Sequence, residues 1–166
     1  GSISPIDFLA ELYRQGVGAY FDAVAFHPYS FPLPPEYAEQ SNAWQQMENT
    51  TPSVRSVMAE NGDSAKQIWI TEYGAPTGGP GARATEDNYL STRYADHVSE
   101  DWQARILTEA LTAARGYPWI GPFFWYSYKD IGTSPATNEN FFGLLRYDGS
   151  EKPAYAELKQ AIAALP

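Results

Sequence analysis

A glutamate at the end of an apolar run is the first feature of this sequence that could do chemistry. Glu72 lies in the stretch WITEYGAP and directly follows the strand-like residues 68–71. Strict alternation along a strand would place its carboxylate on the same face as Ile68 and Ile70. A carboxylate at the mouth of an apolar interior is costly to desolvate without a partner. Glu72 therefore either caps a helix or pairs with an arginine, or it takes part in a reaction.

Polar or amphipathic side chains also end the other two predicted strands. His27 and Tyr29 are two positions apart at the end of the first strand, so they share a face. Trp125 ends the third strand. Taken singly, these could be a core histidine, a hydroxyl bonded to the backbone and a packing residue. Because neighbouring parallel strands end at one edge of a sheet, we expect the three side chains and Glu72 to form a single site.

The elements that must position these residues alternate between helix and strand. Ser4-Pro5-Ile6-Asp7 is typical of a helix start, with a hydroxyl cap, a proline and an acid in the first turn. Helices are predicted over 4–16, 51–62, 99–116 and 150–165, and strands over 22–26, 68–71 and 122–126. Short apolar strands joined by crossover helices indicate a parallel sheet, so the predicted class is α/β. Long loops after the strands place the functional face at the strands' carboxyl ends.

Composition excludes several classes of function. The net charge is -9, which argues against nucleic acid and anionic membranes as partners. There is no cysteine, so disulfides and thiolate metal sites cannot form, and no run has the roughly 18 apolar residues of a membrane span. The chain is rich in aromatic residues, 15% of the total, which suits stacking on flat ligands such as sugar rings.

Four stretches resemble a known enzyme family when taken in order. They are FDAVAFHPYSFP, IWITEYGAPTGG, FFWYSYKD and FFGLLRYDGSEKPAYAEL. Together they resemble the sixth, seventh and eighth βα units of the clan A retaining glycoside hydrolases, family 39 most of all and family 5 next. These enzymes are (β/α)8 TIM barrels. The resemblance implies a partial barrel of about three βα units, in which residues 1–166 are the C-terminal part of a glycoside hydrolase catalytic domain.

The resemblance also implies roles for individual residues. Glu72 is similar to the catalytic nucleophile at the end of the seventh strand, and His27 and Tyr29 are similar to the pair that bonds this nucleophile and the sugar. Trp125 is similar to the platform under the sugar, where a cis peptide bond often leads to the next residue, here Tyr126. Such an enzyme needs a second carboxyl group, roughly 5–5.5 Å from the nucleophile, as acid and base.

Two residues after the third strand are further candidates for contact with the substrate. Tyr126 would hold a saccharide together with Trp125, and Lys129 could reach it from the following loop. The implied substrate is an oligo- or polysaccharide. The proposed chemistry requires neither a metal ion nor another cofactor, and a secreted or extracellular location is expected.

The family pattern is broken at the acid/base. In the family this residue belongs to an Asn-Glu-Pro motif after the fourth strand, which this sequence lacks. Asn138-Glu139-Asn140 is the most similar tripeptide, but it lies in the loop after the last strand and cannot take that role by resemblance. The chain alone is therefore expected to show little or no turnover.

Three strands cut from a barrel would expose two edges and an interior face. We expect the interior side chains, assigned here as Ile68, Ile70 and Phe123, to be covered by another copy of the chain or by the missing N-terminal barrel half. The leading hypothesis is thus a retaining O-glycosyl hydrolase of the β-glycosidase, xylosidase or endoglycanase type. The alternatives are a carbohydrate-binding module that uses Trp44 with the site aromatics, and an oligomerisation domain.

Overall fold

Helices alternate with the strands of the main sheet along the chain, as predicted. The computed structural model describes residues 3–164, so residue 165 of the last predicted helix lies outside the described part. The elements are α1 Pro5–Arg14, β1 Ala23–Phe26, α2 Val54–Glu60, β2 Gln67–Tyr73, β3 Arg83–Ala84, β4 His97–Val98, α3 Glu100–Gly116, β5 Ile120–Trp125 and α4 Pro153–Ala163. Within residues 3–164, no helix combines the length and the apolar character needed to cross a membrane.

Side-chain caps fix two of the helix starts where the sequence predicts them. The Ser4 hydroxyl accepts a hydrogen bond from the backbone N–H of Asp7, and Ser99 accepts one in the same way at the start of α3. The other two helices start later than predicted. Ser53 caps α2, and α4 begins at Pro153, where the missing N–H of proline costs nothing.

The main sheet has three strands in the order β1-β2-β5, and both pairs are parallel. Side chains of α1, α2 and α3 pack on one face of it. Their buried residues contact the side chains of β1 and β2 that point to the same face: Leu9, Val54, Met58, Ile106, Phe26, Ile68 and Ile70. The α/β class is therefore confirmed, with the core between this face and the helices.

Two irregularities in the pairing of β2 with β5 change which side chains share a face. The paired residues are Ile68 with Ile120, Ile70 with Phe123 and Tyr73 with Trp125. Between the last two pairs, β2 advances three residues and β5 advances two, so β2 carries a β-bulge next to Glu72. The extra residue returns Tyr73 to the buried face of Ile70 and leaves Glu72 on the opposite face. The prediction that Glu72 continues the isoleucine row was therefore wrong.

The same bulge corrects the assignment of the uncovered face of the sheet. Ile68 and Ile70 are completely buried under the helices, and Phe123 packs against the same core. The apolar side chains that remain open on the other face are Trp69, which is 41% exposed, and Phe124, which is 54% exposed. These two residues, not the three predicted ones, are exposed on the face that would point into a complete barrel.

A second, smaller sheet lies in the long loop after β2. It consists of the parallel pair β3 and β4, and neither strand was predicted. Each strand is only two residues long, and such short ladders leave no periodic pattern in a sequence.

Candidate active site

The carboxyl ends of β1, β2 and β5 meet around a pocket of about 380 Å³. This volume lies within the range of small-molecule sites in proteins. The lining consists mainly of rings and carboxylates, and its residues are Tyr29, Phe31, Glu72, Tyr126, Asn138, Glu139 and Phe142. The structure therefore brings Glu72, Tyr29 and Tyr126 of the predicted site together.

Glu72 has a phenol and an imidazole as its neighbours. Its Oε2 accepts a hydrogen bond from the Tyr29 hydroxyl at 3.1 Å, and Nδ1 of His27 lies 3.5 Å from the same oxygen. The Glu72 side chain remains 41% exposed, so a ligand in the pocket can reach it. These contacts differ from both structural alternatives, a helix cap and an arginine pair.

Tyr29 is held in the protonated form that can donate to Glu72. Burial raises the pKa of its phenol well above the usual value, and the hydrogen bond to Glu72 and the charge of that residue act in the same direction. A phenol that does not ionise remains a donor over the whole neutral range. It therefore holds one oxygen of Glu72 in place and stabilises its negative charge.

Tyr73 and Gly74, the two residues after Glu72, fix the end of β2 in the core and against Tyr126. Tyr73 is completely buried, and its hydroxyl lies 2.8 Å from that of Ser30, which anchors the strand end in the core. Gly74 packs directly against the backbone of Tyr126, and a Cβ at this position would collide with the Tyr126 carbonyl oxygen. The backbone N–H of Tyr126 donates to the Tyr73 carbonyl at 2.8 Å. The sequence EYG thus brings Tyr126 beside Glu72.

Trp125 does not lie at the pocket. Its ring packs on the helix-covered face of the sheet, with its centroid 6.0 Å from that of Tyr73, and it lines a separate cavity with Leu111 and Leu158. The side chain that reaches the pocket is that of Tyr126, which directly follows β5 and, as alternation continued past the strand end would predict, points to the opposite side from Trp125. The non-proline cis peptide bond joins Tyr126 to Ser127, whereas the family resemblance implied a bond from Trp125 to Tyr126.

Two other predicted contacts also lie elsewhere. Lys129 is exposed outside the pocket lining, and its amino group lies 6.0 Å from the ring centroid of Tyr147. Trp44, named for the binding-module alternative, is almost completely buried against Tyr73.

Four pocket residues were missed as site residues. Phe31 continues the two-residue spacing of His27 and Tyr29, and this spacing could have found it. Phe142 packs edge to face on Tyr126 with ring centroids 5.2 Å apart. Asn138 and Glu139 come from a 3₁₀ turn in an irregular loop, where no periodic signal exists. These four residues are Phe31, Asn138, Glu139 and Phe142.

A buried ion pair holds the loop that carries Asn138, Glu139 and Phe142. The Lys152 ammonium group donates to Asp130 Oδ1 at 2.7 Å, to the Thr77 hydroxyl at 2.8 Å and to the Phe141 carbonyl at 3.0 Å. Asp130 Oδ1 also accepts from the backbone N–H of Gly143. Burial lowers the pKa of Lys152, although the charge of Asp130 opposes this shift. The network joins the loops after β2 and β5 to the start of α4.

The fold and the position of the pocket define the class of this domain. Parallel βα units with helices on one face, an open opposite face and side chains converging at the carboxyl ends form part of a (β/α)8 barrel. The two outer edges of the sheet lie at β1 and β5, as expected for consecutive units taken from a barrel.

Solved structures of glycoside hydrolases have the same fold. A family 39 glycoside hydrolase from Bacteroides cellulosilyticus WH2 matches 94% of this chain with a TM-score of 0.66 and 24% sequence identity. This chain spans only 30% of the length of that protein. No family model and no curated protein matches the sequence. The likeness confirms a partial barrel equivalent to about three βα units.

Two further neighbours act on uronic acid glycosides according to their names. A Bifidobacterium dentium β-glucuronidase matches 89% of this chain, which covers 21% of that protein, with a TM-score of 0.55 and 18% identity. A β-galacturonidase from Eisenbergiella tayi matches 90% of this chain, which covers 25% of that protein, with a TM-score of 0.58 and 18% identity.

Proposed function

We propose that this chain is the C-terminal part of the catalytic domain of a retaining O-glycosyl hydrolase, with Glu72 as the nucleophile. The observation that carries the proposal is the Glu72 carboxylate, which is open to an aromatic-walled pocket while Tyr29 donates to one of its oxygens. Glycoside hydrolases are also the proteins with which the chain shares its fold. A secreted or extracellular location fits a polysaccharide substrate.

The proposed reaction begins with attack of a Glu72 oxygen on the anomeric carbon of the sugar. The glycosidic bond breaks as the ester bond to Glu72 forms, and the leaving oxygen takes a proton from a second carboxyl group. The second group, now a carboxylate, takes a proton from water as the water oxygen attacks the anomeric carbon, and the ester bond breaks to release the sugar and restore the Glu72 carboxylate. We propose that the second carboxyl comes from the preceding part of the barrel, which would make this piece inactive alone toward ordinary glycosides.

Three side chains would support this step. Tyr29 would hold Glu72 in one rotamer and His27 would bond the same carboxylate or a sugar hydroxyl. Tyr126 takes the place proposed for Trp125, since its ring lines the pocket and can pack against the apolar face of a pyranose.

A mechanism-based label tests the nucleophile in the chain as it stands. A 2-deoxy-2-fluoro glycoside with a dinitrophenolate leaving group needs no acid, because this leaving group departs without a proton. We expect mass spectrometry to find one fluoroglycosyl group per chain, attached at Glu72, and no label on Glu72→Gln. Glu60→Gln, at the exposed end of α2, should label like the unmodified chain.

A different outcome would favour the binding-module alternative. Saccharide binding that is unchanged by Glu72→Gln, with no covalent label on either chain, would contradict the proposed nucleophile. The aromatic walls of the pocket would then hold a sugar without cleaving it.

We further propose that the open sheet face associates with another copy of the chain when no other barrel strands cover it. Trp69 and Phe124 are exposed there, and apolar grooves run along both sheet edges. Light scattering should find dimers or larger species, and Trp69→Lys with Phe124→Lys should shift them to monomer. Tyr20→Lys, which removes an exposed aromatic outside the sheet, is the control. A monomeric unmodified chain would contradict this proposal.

A further inference from the structure

We infer that Glu139 makes this pocket selective against sugars that carry a carboxylate and selective for neutral or amino sugars. The inference rests on the proposed saccharide site and concerns which class of sugar that site accepts. Glu139 is a specificity-determining residue in this view, distinct from the nucleophile.

Glu139 lines the same cavity as Glu72 but comes from a different element. It lies in the 3₁₀ turn Asn138–Phe141, where the Thr137 hydroxyl accepts from its backbone N–H at 3.3 Å. The neighbouring Asn138 amide donates to the Asp96 carbonyl at 3.1 Å, which ties the turn to the loop after β2. The first bond is local to the turn, and the Asn138 bond anchors the backbone that carries the Glu139 carboxylate to another loop.

Tyr126 lies within the influence of both carboxylates. Its pKa is raised by burial first and then by the negative charges of Glu139 and Glu72. Both acids thus act on one point of the pocket wall, and a ligand placed against Tyr126 would meet the same two charges.

No lysine or arginine offsets these charges at the pocket wall. Among residues 3–164, the pocket lining contains two carboxylates and otherwise neutral side chains, and the His27 ring lies beside Glu72. Lys152 is 1% exposed and is bonded within the loops, and Lys129 lies outside the lining next to Tyr147. The net charge of -9 adds to the negative potential.

This arrangement of charges should discriminate between sugars according to their own charge. Hydroxyl groups of a neutral sugar can donate to the Glu139 carboxylate, and the ammonium group of an amino sugar gains attraction as well. The carboxylate of a uronic acid can do neither, and it is repelled at short range by the Glu139 carboxylate, whose exposed position leaves this repulsion open to screening by salt. Two neighbours of the same fold are named for uronic acid glycosides, so the fold alone does not set this preference.

Three glycosides that share one ring framework test the inference on the chain as it stands. They are methyl β-D-glucopyranoside, methyl β-D-glucuronide and methyl 2-amino-2-deoxy-β-D-glucopyranoside. Binding is followed by amide shifts of the isotope-labelled chain at neutral pH and low salt. We expect the glucuronide to bind about fivefold more weakly than the glucoside, and added salt to reduce this ratio.

Charge variants separate Glu139 from the general charge of the protein. Glu139→Gln should bring the two affinities closer, and Glu139→Lys should favour the glucuronide. Glu60→Lys makes the same change in net charge at the far end of α2, so it should leave the ratio nearly unchanged.

Equal binding of the glucuronide and the glucoside, or a ratio that Glu139→Lys does not change, would overturn the inference. If Glu72 is still labelled in either case, the proposed nucleophile stands and only the selectivity is wrong. Absence of binding for all three glycosides together with absence of the label would overturn the saccharide site itself.

Discussion

Replacing Lys152 with methionine is expected to lower the free energy of unfolding by about 3–5 kcal/mol. The ammonium group is 1% exposed and bonds Asp130, Thr77 and Phe141 at once. Methionine can fill the space but cannot donate, so the variant leaves the Asp130 carboxylate buried without its cation. Urea unfolding followed by circular dichroism measures the change.

The control for this variant is Lys159→Met. Lys159 pairs with Glu151 on the surface, and both side chains are about half exposed. Exposed ion pairs contribute about 0–1 kcal/mol, so this variant should remain close to the unmodified chain. The double variant Lys152→Met with Asp130→Asn should recover part of the loss, because it removes the unpaired charge. Equal stability of Lys152→Met and Lys159→Met would show that the buried pair does not hold the loops.

Replacing Gly74 with alanine is expected to cost about 3 kcal/mol, near the upper end for overpacking a dense core. The added methyl group would meet the Tyr126 carbonyl oxygen, which belongs to the backbone and cannot rotate away. The ends of β2 and β5 would have to separate, and Tyr126 would move relative to Glu72. We therefore expect slower labelling of Glu72 as well as lower stability.

Gly116→Ala is the matched control for Gly74→Ala. Gly116 is the last residue of α3, and an added Cβ there meets no atom within 4 Å. Alanine has the higher helix propensity, so this variant should be as stable as the unmodified chain or slightly more stable. If the two variants have the same stability, the close approach at Gly74 is not what joins the strand ends.

Local patterns were sufficient to predict the order of elements and part of the site. Caps and helical periodicity located α1 and α3, and apolar runs located the strands of the main sheet. The spacing of His27 and Tyr29 at a strand end predicted that both would lie near Glu72. These signals are local, because each depends on a few neighbouring residues and on the regular geometry of one element.

Only the packed sheet decided which side chains face the pocket. The bulge in β2 depends on pairing with β5, and it moves Glu72 to the opposite face from Ile70. Unbroken alternation along β2 would make the face of Ile70 and Phe123 the pocket side, and Trp125 was predicted as a site residue on that face, whereas the structure places Tyr126 at the pocket. Glu139 and Phe142 reach the site through a loop whose shape depends on the Lys152 network. Contacts between residues far apart in the chain set these positions, so residue types at regular spacing do not predict them.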